Sequence, residues 1–195
     1  WQFKVPGVPL QYAYYTNEDF AYVKGFEMNF MWRMHNIAAR ANYTFQIAEG
    51  SSSSQQERFT GAYDVKGRQS LQFYPLSFDQ RHMVNANVTV NFEEGEAPFG
   101  FAPKIFQNSY LSMIFQYGGG LPFTYNPTRK RYEPDLNNSR MPATYNIDLE
   151  LEKRFYFDAY FIGVFCQIYN LLDRDNVRDV YSGSGEPDDF GPLEP

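Results

Sequence analysis

Asp79, Arg81 and His82 lie together in the run SFDQRH and bring a carboxylate, a guanidinium and an imidazole into close sequence proximity. Such a set suits general acid–base work, in which a positioned side chain gives or takes a proton. The chain has only 2 histidines, and the other, His35, falls in a tight turn. No nucleophile, base and orienting group converge around either, so an enzyme is not expected. A second candidate, DRDNVRD at 173–179, offers oxygen ligands at a spacing that partly matches a calcium loop. It lacks the central Gly and the final Glu of that motif, and a solvated loop is the expectation. Asp148, Glu150 and Glu152 alternate along one strand pattern and suit a charge network with Arg154. Catalytic carboxylates would instead have to face each other across a cleft. Gly118, Gly119 and Gly120 precede neither a helix nor a Lys, so they end a strand rather than cradle a phosphate. Two Asn-X-Thr sequons, at Asn42 and Asn87, sit inside strand patterns and read as coincidence. No metal or cofactor is expected.

What must position these residues is a set of long alternating stretches. In DFAYVKGFEMNFMWRM, from 19 to 34, the even positions carry Phe20, Tyr22, Lys24, Phe26, Met28, Phe30, Trp32 and Met34. The odd positions carry Gly25, Glu27, Asn29 and Arg33. A period of two marks a strand with one apolar and one wet face; a helix would need apolar residues at i, i+3, i+4 and i+7. Gly25 falls on the wet face, where a missing side chain relieves crowding or allows a bend. The same alternation recurs over 38–48, 81–92, 109–117 and 144–155, and 159–172 is apolar on both faces. Six strands are therefore predicted, with a seventh if Gln11 to Tyr15 pairs. The first is much longer than the usual strand of about 5 to 6 residues, and suits the roughly 9 to 11 residues that a tilted strand needs to cross a bilayer.

The connections alternate in length. His35-Asn36-Ile37 and the turn near Phe157-Asp158 are short, and EEGEAPFGFAPKIFQN is intermediate. The segments 49–80 and 118–143 and the acidic tail are long, rich in Ser, Gln, Gly, Pro and Asn, and predicted to be polar loops. Short turns on one rim and long loops on the other are the habit of outer-membrane barrels.

Composition agrees. The 195 residues carry 17 basic and 23 acidic side chains, a net charge of -6, which excludes a binder relying on a basic surface for nucleic acid. Aromatics make up 19%, including 16 Tyr and 19 Phe, and such rings favour places with one apolar and one wet side. Mean hydropathy is -0.54, and no apolar run is long enough for a membrane helix, which leaves barrel strands open because they alternate. The single Cys166 cannot form an internal disulfide and does not decide the compartment. The chain opens WQFKVPG with no signal-like segment, so any export signal is expected to have been removed or to lie upstream. An inward apolar stripe, as in a small soluble barrel that binds an apolar ligand or partner, gives the same alternation. Strand length and loop asymmetry favour the membrane reading.

Several stretches also resemble the barrel of TonB-dependent outer-membrane receptors of the Oar-like kind, in its C-terminal part. They are YYTNEDFAYVKGFEMNF at 14–30, YTFQIAEGSSS at 43–53, PLSFDQRH at 75–82, GGGLPFT at 118–124, NNSRMPATYNIDLELEKRF at 137–155 and IYNLLDRDNVRDVYSGSGEPDD at 168–189. The resemblance implies an all-β, antiparallel up-and-down transmembrane barrel, incomplete here, with residues 1–195 forming one partial barrel domain. A plug and a closing strand are expected outside this sequence, since open edges in lipid leave backbone groups unpaired. It implies energised uptake of an unidentified ligand, with outer-membrane lipid, the rest of the receptor and, indirectly, the TonB energy-coupling complex as partners. The positions carried over as structural motif residues are Gly25, Glu27, Arg81, His82, Arg140, Pro142, Asp148 and Asn170. In the family, residues such as Arg81 and His82 mark the step from loop into strand.

Overall fold

The alternating stretches pair into one antiparallel sheet because each has a period-2 pattern whose apolar sides match across the register. The computed structural model describes residues 2–3, 12–13, 20–52, 73–96, 103–129 and 136–189. The strands are β1 (Gln2–Phe3), β2 (Tyr12–Ala13), β3 (Ala21–Met34), β4 (Ile37–Gly50), β5 (Tyr74–Pro75) and β6 (His82–Phe92). The one-turn helix α1 (Pro103–Phe106) follows, then β7 (Ser109–Gly118), β8 (Pro122–Phe123), β9 (Ser139–Arg140), β10 (Thr144–Phe157) and β11 (Tyr160–Ile168). The main sheet runs β11-β10-β7-β6-β4-β3, with β5 added beside β4. Neighbours in sequence are neighbours in space, the up-and-down order expected, and the sheet is not closed.

All six predicted strands are present, and three results differ from expectation. Tyr12–Ala13, inside the possible seventh strand, pairs with Gln2–Phe3 and stays outside the main sheet. The sixth strand stops at Ile168 instead of Leu172, because Asn170 takes a left-handed φ of 52° and Leu171 N–H turns back onto the Ile147 carbonyl at 2.7 Å. The segment 49–80 is not simply a polar loop. β4 continues to Gly50, and 73–80 folds back with Leu76 and Asp79 fully buried. The Ser/Gln-rich centre of that segment, 53–72, lies outside the described residues.

The strands are staggered. One register row runs Glu27, Thr44, Met83, Gly118, Thr144, and β3 and β4 continue past it to Ala21 and Gly50. At the other end, Phe92, Ser109 and Lys153 share a row, and β10 and β11 continue past it to Phe157 and Tyr160. Progressive offset of this kind is what tilted strands in a barrel wall require.

Register also fixes the two faces. Trp32, Ala39, Val88, Met113, Leu149 and Ile168 fall on one row of the apolar face. The apolar face is not covered: Met28 is 61% exposed and Phe30 60%, and among the described residues only Ala48, Tyr74 and Leu76 are buried hydrophobics. Both two-residue hairpins place a side chain tolerant of left-handed backbone first in the turn, His35 at φ 47° and Asp158 at φ 32°.

Candidate functional site

The polar face carries an amide stripe. Asn29, Asn42, Asn85, Gln116 and Asn146 occupy one register row across β3, β4, β6, β7 and β10. Rows beside it add Arg40, Asn87 and Asp148, then Arg33, Thr89, Ser112 and Glu150. Asn87 Nδ2 donates to Ser112 Oγ at 3.0 Å, and Arg154 Nε pairs with Glu152 Oε1 at 2.6 Å. Of the expected carboxylate network only this last pair involves Arg154. Asp148 Oδ1 accepts from Asn146 Nδ2 at 2.7 Å and from Asn170 N–H at 2.9 Å, and Glu150 accepts from Gln167 at 3.4 Å. Asp148 is drawn to the loop after β11 because that loop offers it a backbone donor.

Above this wall, the long connections meet at one rim around Asp79. Its carboxylate is 0% exposed, and a buried charge must be paired and hydrogen-bonded. Oδ1 accepts from Ala48 N–H at 2.8 Å. Oδ2 is held by Arg140 Nη2 and, at 3.4 Å, by Arg81 Nε. Arg140 Nη1 also donates to the Asp79 carbonyl at 2.7 Å and the Gly120 carbonyl at 3.1 Å. Leu76 N–H donates to the Ala48 carbonyl at 2.9 Å, so both polar main-chain groups of Ala48 are satisfied above the point where β6 begins. Further links between connections are Asn137 Nδ2 to the Pro75 carbonyl at 2.6 Å, Gln80 Nε2 to the Gly119 carbonyl at 3.0 Å, and Asn126 N–H to the Ser182 carbonyl at 2.7 Å.

The SFDQRH run is thus divided. His82 opens β6 on the apolar face, its Nδ1 2.9 Å from Tyr43 Oη and its ring stacked on Tyr43. Asp79 is committed to Arg140. His35, at the opposite rim, pairs with Glu96 at 2.8 Å. Asp79 and His82, close in sequence, therefore take different partners.

Of the motif residues, Arg81 and Arg140 meet at Asp79, and Asp148 and Asn170 meet each other. Gly25 pairs with Gln46 where β3 crowds β4, and an added Cβ would fall on the Phe45 carbonyl. Glu27 is exposed and opposite Thr44. Pro142 is exposed between β9 and β10. Gly118 ends β7 as predicted, and at Gly120 a Cβ would collide with the Met141 carbonyl.

Two important side chains, Arg174 and Asn176, lie within DRDNVRD, read from sequence as a solvated loop with calcium-like spacing. Asn176 Oδ1 accepts from Tyr145 N–H at 3.0 Å and its Nδ2 donates to the Tyr145 carbonyl at 2.9 Å. One amide side chain therefore replaces a strand partner for β10 beyond the end of β11. Arg174 lies 4.0 Å over the Tyr145 ring and donates to Tyr145 Oη at 3.0 Å and the Ala143 carbonyl at 3.2 Å. Asn170 fastens the turn, its Nδ2 donating to the Arg174 carbonyl and its Oδ1 accepting from Arg174 N–H, both at 3.1 Å. The only sequence signal was the Asn/Asp density that favours local side-chain to backbone bonding.

This arrangement is a two-faced, staggered wall with its long connections tied together at one rim. Comparison with curated proteins and with solved structures returned no match. The family model described as TonB dependent receptor-like, beta-barrel, matches residues 2–171. The chain belongs to the TonB-dependent receptor β-barrel family.

Proposed function

We propose that residues 1–195 form part of one receptor barrel domain that sits in the outer membrane of a Gram-negative-type cell and serves energised uptake of a ligand. In this reading the Val88 face meets lipid and the amide-bearing face lines the lumen. A plug and further strands complete the barrel, and an inner-membrane TonB complex drives it. The observation that carries the reading is the register: in β3, β4, β6, β7 and β10 it keeps most apolar side chains on one uncovered face and most amides and charges on the other, while β11 is apolar on both. In lipid, such a face needs no protein cover, whereas in water it would leave large aromatic side chains solvated. Gly25, Glu27, Arg81, His82, Arg140, Pro142, Asp148 and Asn170 act here as structural residues, shaping the rim and wall without catalysis.

Fractionation of cells producing the intact receptor tests this reading. The protein should sediment with outer membranes and resist carbonate extraction. Recovery in the soluble fraction would instead support a small binding barrel with its apolar stripe buried.

A further inference from the structure

The connection between β6 and β7 does not hang free at its rim. Phe106 of α1 reaches the apolar face, its ring 6.2 Å from that of Phe92 in an edge-to-face arrangement, and Ile105 beside it is 66% exposed. Between α1 and the sheet lies an open groove of about 570 Å³, walled by Val90, Leu111, Leu151, Val164, Ile105 and Phe106. Val90, Leu111 and Leu151 form one row with Cys166, and Phe92, Ser109, Lys153 and Val164 form the next, nearer the short-turn rim.

Lys153 is the charged side chain at this end of the apolar face, as Lys24 is near the other rim. The neighbours of Lys153 across the register are Ser109 and Val164, its ammonium donates to the Gln107 carbonyl, and it lies 5.7 Å from the centre of the Phe155 ring. A lysine has three N–H donors. One is used by Gln107, and the chain's apolar stem can lie along the groove while its charged head seeks the wet boundary.

We infer that this groove is a specific phospholipid site, taking one acyl chain against Leu111, Leu151 and Phe106 and the lipid phosphate on Lys153. The inference rests on the proposed lipid-facing assignment of the Val88 face. The occupant follows from two observations. The groove is continuous with that face, so lipid reaches it without crossing protein. Among the described lining residues, which also include Glu152 paired with Arg154, the one cation, Lys153, stands at the end nearer the short connections, the periplasmic side of such barrels, where an anionic headgroup would lie. The volume falls in the range of about 300–1,000 Å³ usual for small-molecule sites.

The test is native mass spectrometry of the intact receptor in detergent, titrated with phosphatidylglycerol. It compares wild type with Lys153→Gln and with Lys24→Gln, a control on the same face near the other rim. Loss of a charge-assisted contact should weaken the tightest lipid by about tenfold in Lys153→Gln and leave it unchanged in Lys24→Gln. Equal retention in all three overturns the inference. Should Lys153→Gln fail to fold, judged by heat-modifiable mobility on gels, wild type is photolabelled with a phospholipid carrying a diazirine on its acyl chain. Label concentrated in 105–111 and 164–166 supports the site, and label spread evenly over the apolar face refutes it. A receptor that takes up no label on that face, or never enters membranes, refutes the lipid-facing reading itself.

Discussion

Arg140 holds Asp79 twice, through the main-chain carbonyl at 2.7 Å and through the carboxylate, and so joins two connections 61 residues apart. Because Asp79 has no solvent exposure, the pair cannot be separated without leaving a buried charge. Arg140→Met should therefore lower stability by about 3 kcal/mol, whereas Arg81→Met, whose contact with Asp79 is longer and more exposed, should cost about 1 kcal/mol or less. Urea unfolding of the receptor in detergent, read by gel mobility, checks the order. Equal effects would contradict it.

Asn176 supplies both a donor and an acceptor to Tyr145. Asn176→Asp keeps the acceptor and loses the donor, bringing a carboxylate against the Tyr145 carbonyl. A loss of about 1 to 3 kcal/mol is expected, together with faster hydrogen exchange at the Tyr145 amide and its neighbours. Unchanged exchange there would show that the loop does not guard the end of β10.

Gly120 and Gly25 are needed for close backbone approach, to Met141 and Phe45 respectively. Alanine at either should destabilise by about 1 to 3 kcal/mol through overpacking. Alanine at Gly95, where a Cβ meets nothing within 4 Å, should cost only the strain of its left-handed φ of 79°, about 1 kcal/mol. Refolding yields of the three variants rank them.

The Asp158 turn has room for improvement. Asp158→Gly should hold or slightly raise stability because glycine adopts the left-handed φ of 32° freely, and Asp158→Val should lose about 1 kcal/mol or more. Thermal unfolding of the paired variants distinguishes them.

The strands were legible because each alternates over enough residues for the period to be unmistakable, as in Val84, Ala86, Val88 and Val90 against Asn85, Asn87 and Thr89. The turns at His35 and Asp158 followed from the gaps between them. The rim was less legible. Leu76 and Asp79 lie in a stretch with no period, and their burial depends on Ala48 and Arg140, which are distant in sequence. The end of β11 was hidden because Ile168 to Leu172 looks as apolar as the strand before it, and only the backbone of Asn170 breaks it. Asp148 was grouped with Glu150 and Glu152 by spacing, yet its partner comes from the following loop. Periodicity reports a face; it does not report which distant donor reaches an acid on that face.

The facing of the sheet is tested most directly by arginine at two adjacent positions in β6, Val88 and Asn87, comparing folding into lipid vesicles. With the Val88 face toward lipid, Val88→Arg should cost about 2 to 4 kcal/mol near the membrane midplane, and Asn87→Arg should be tolerated in a hydrated lumen. If Asn87→Arg proves as costly as Val88→Arg, or costlier, the assignment of the two faces is wrong.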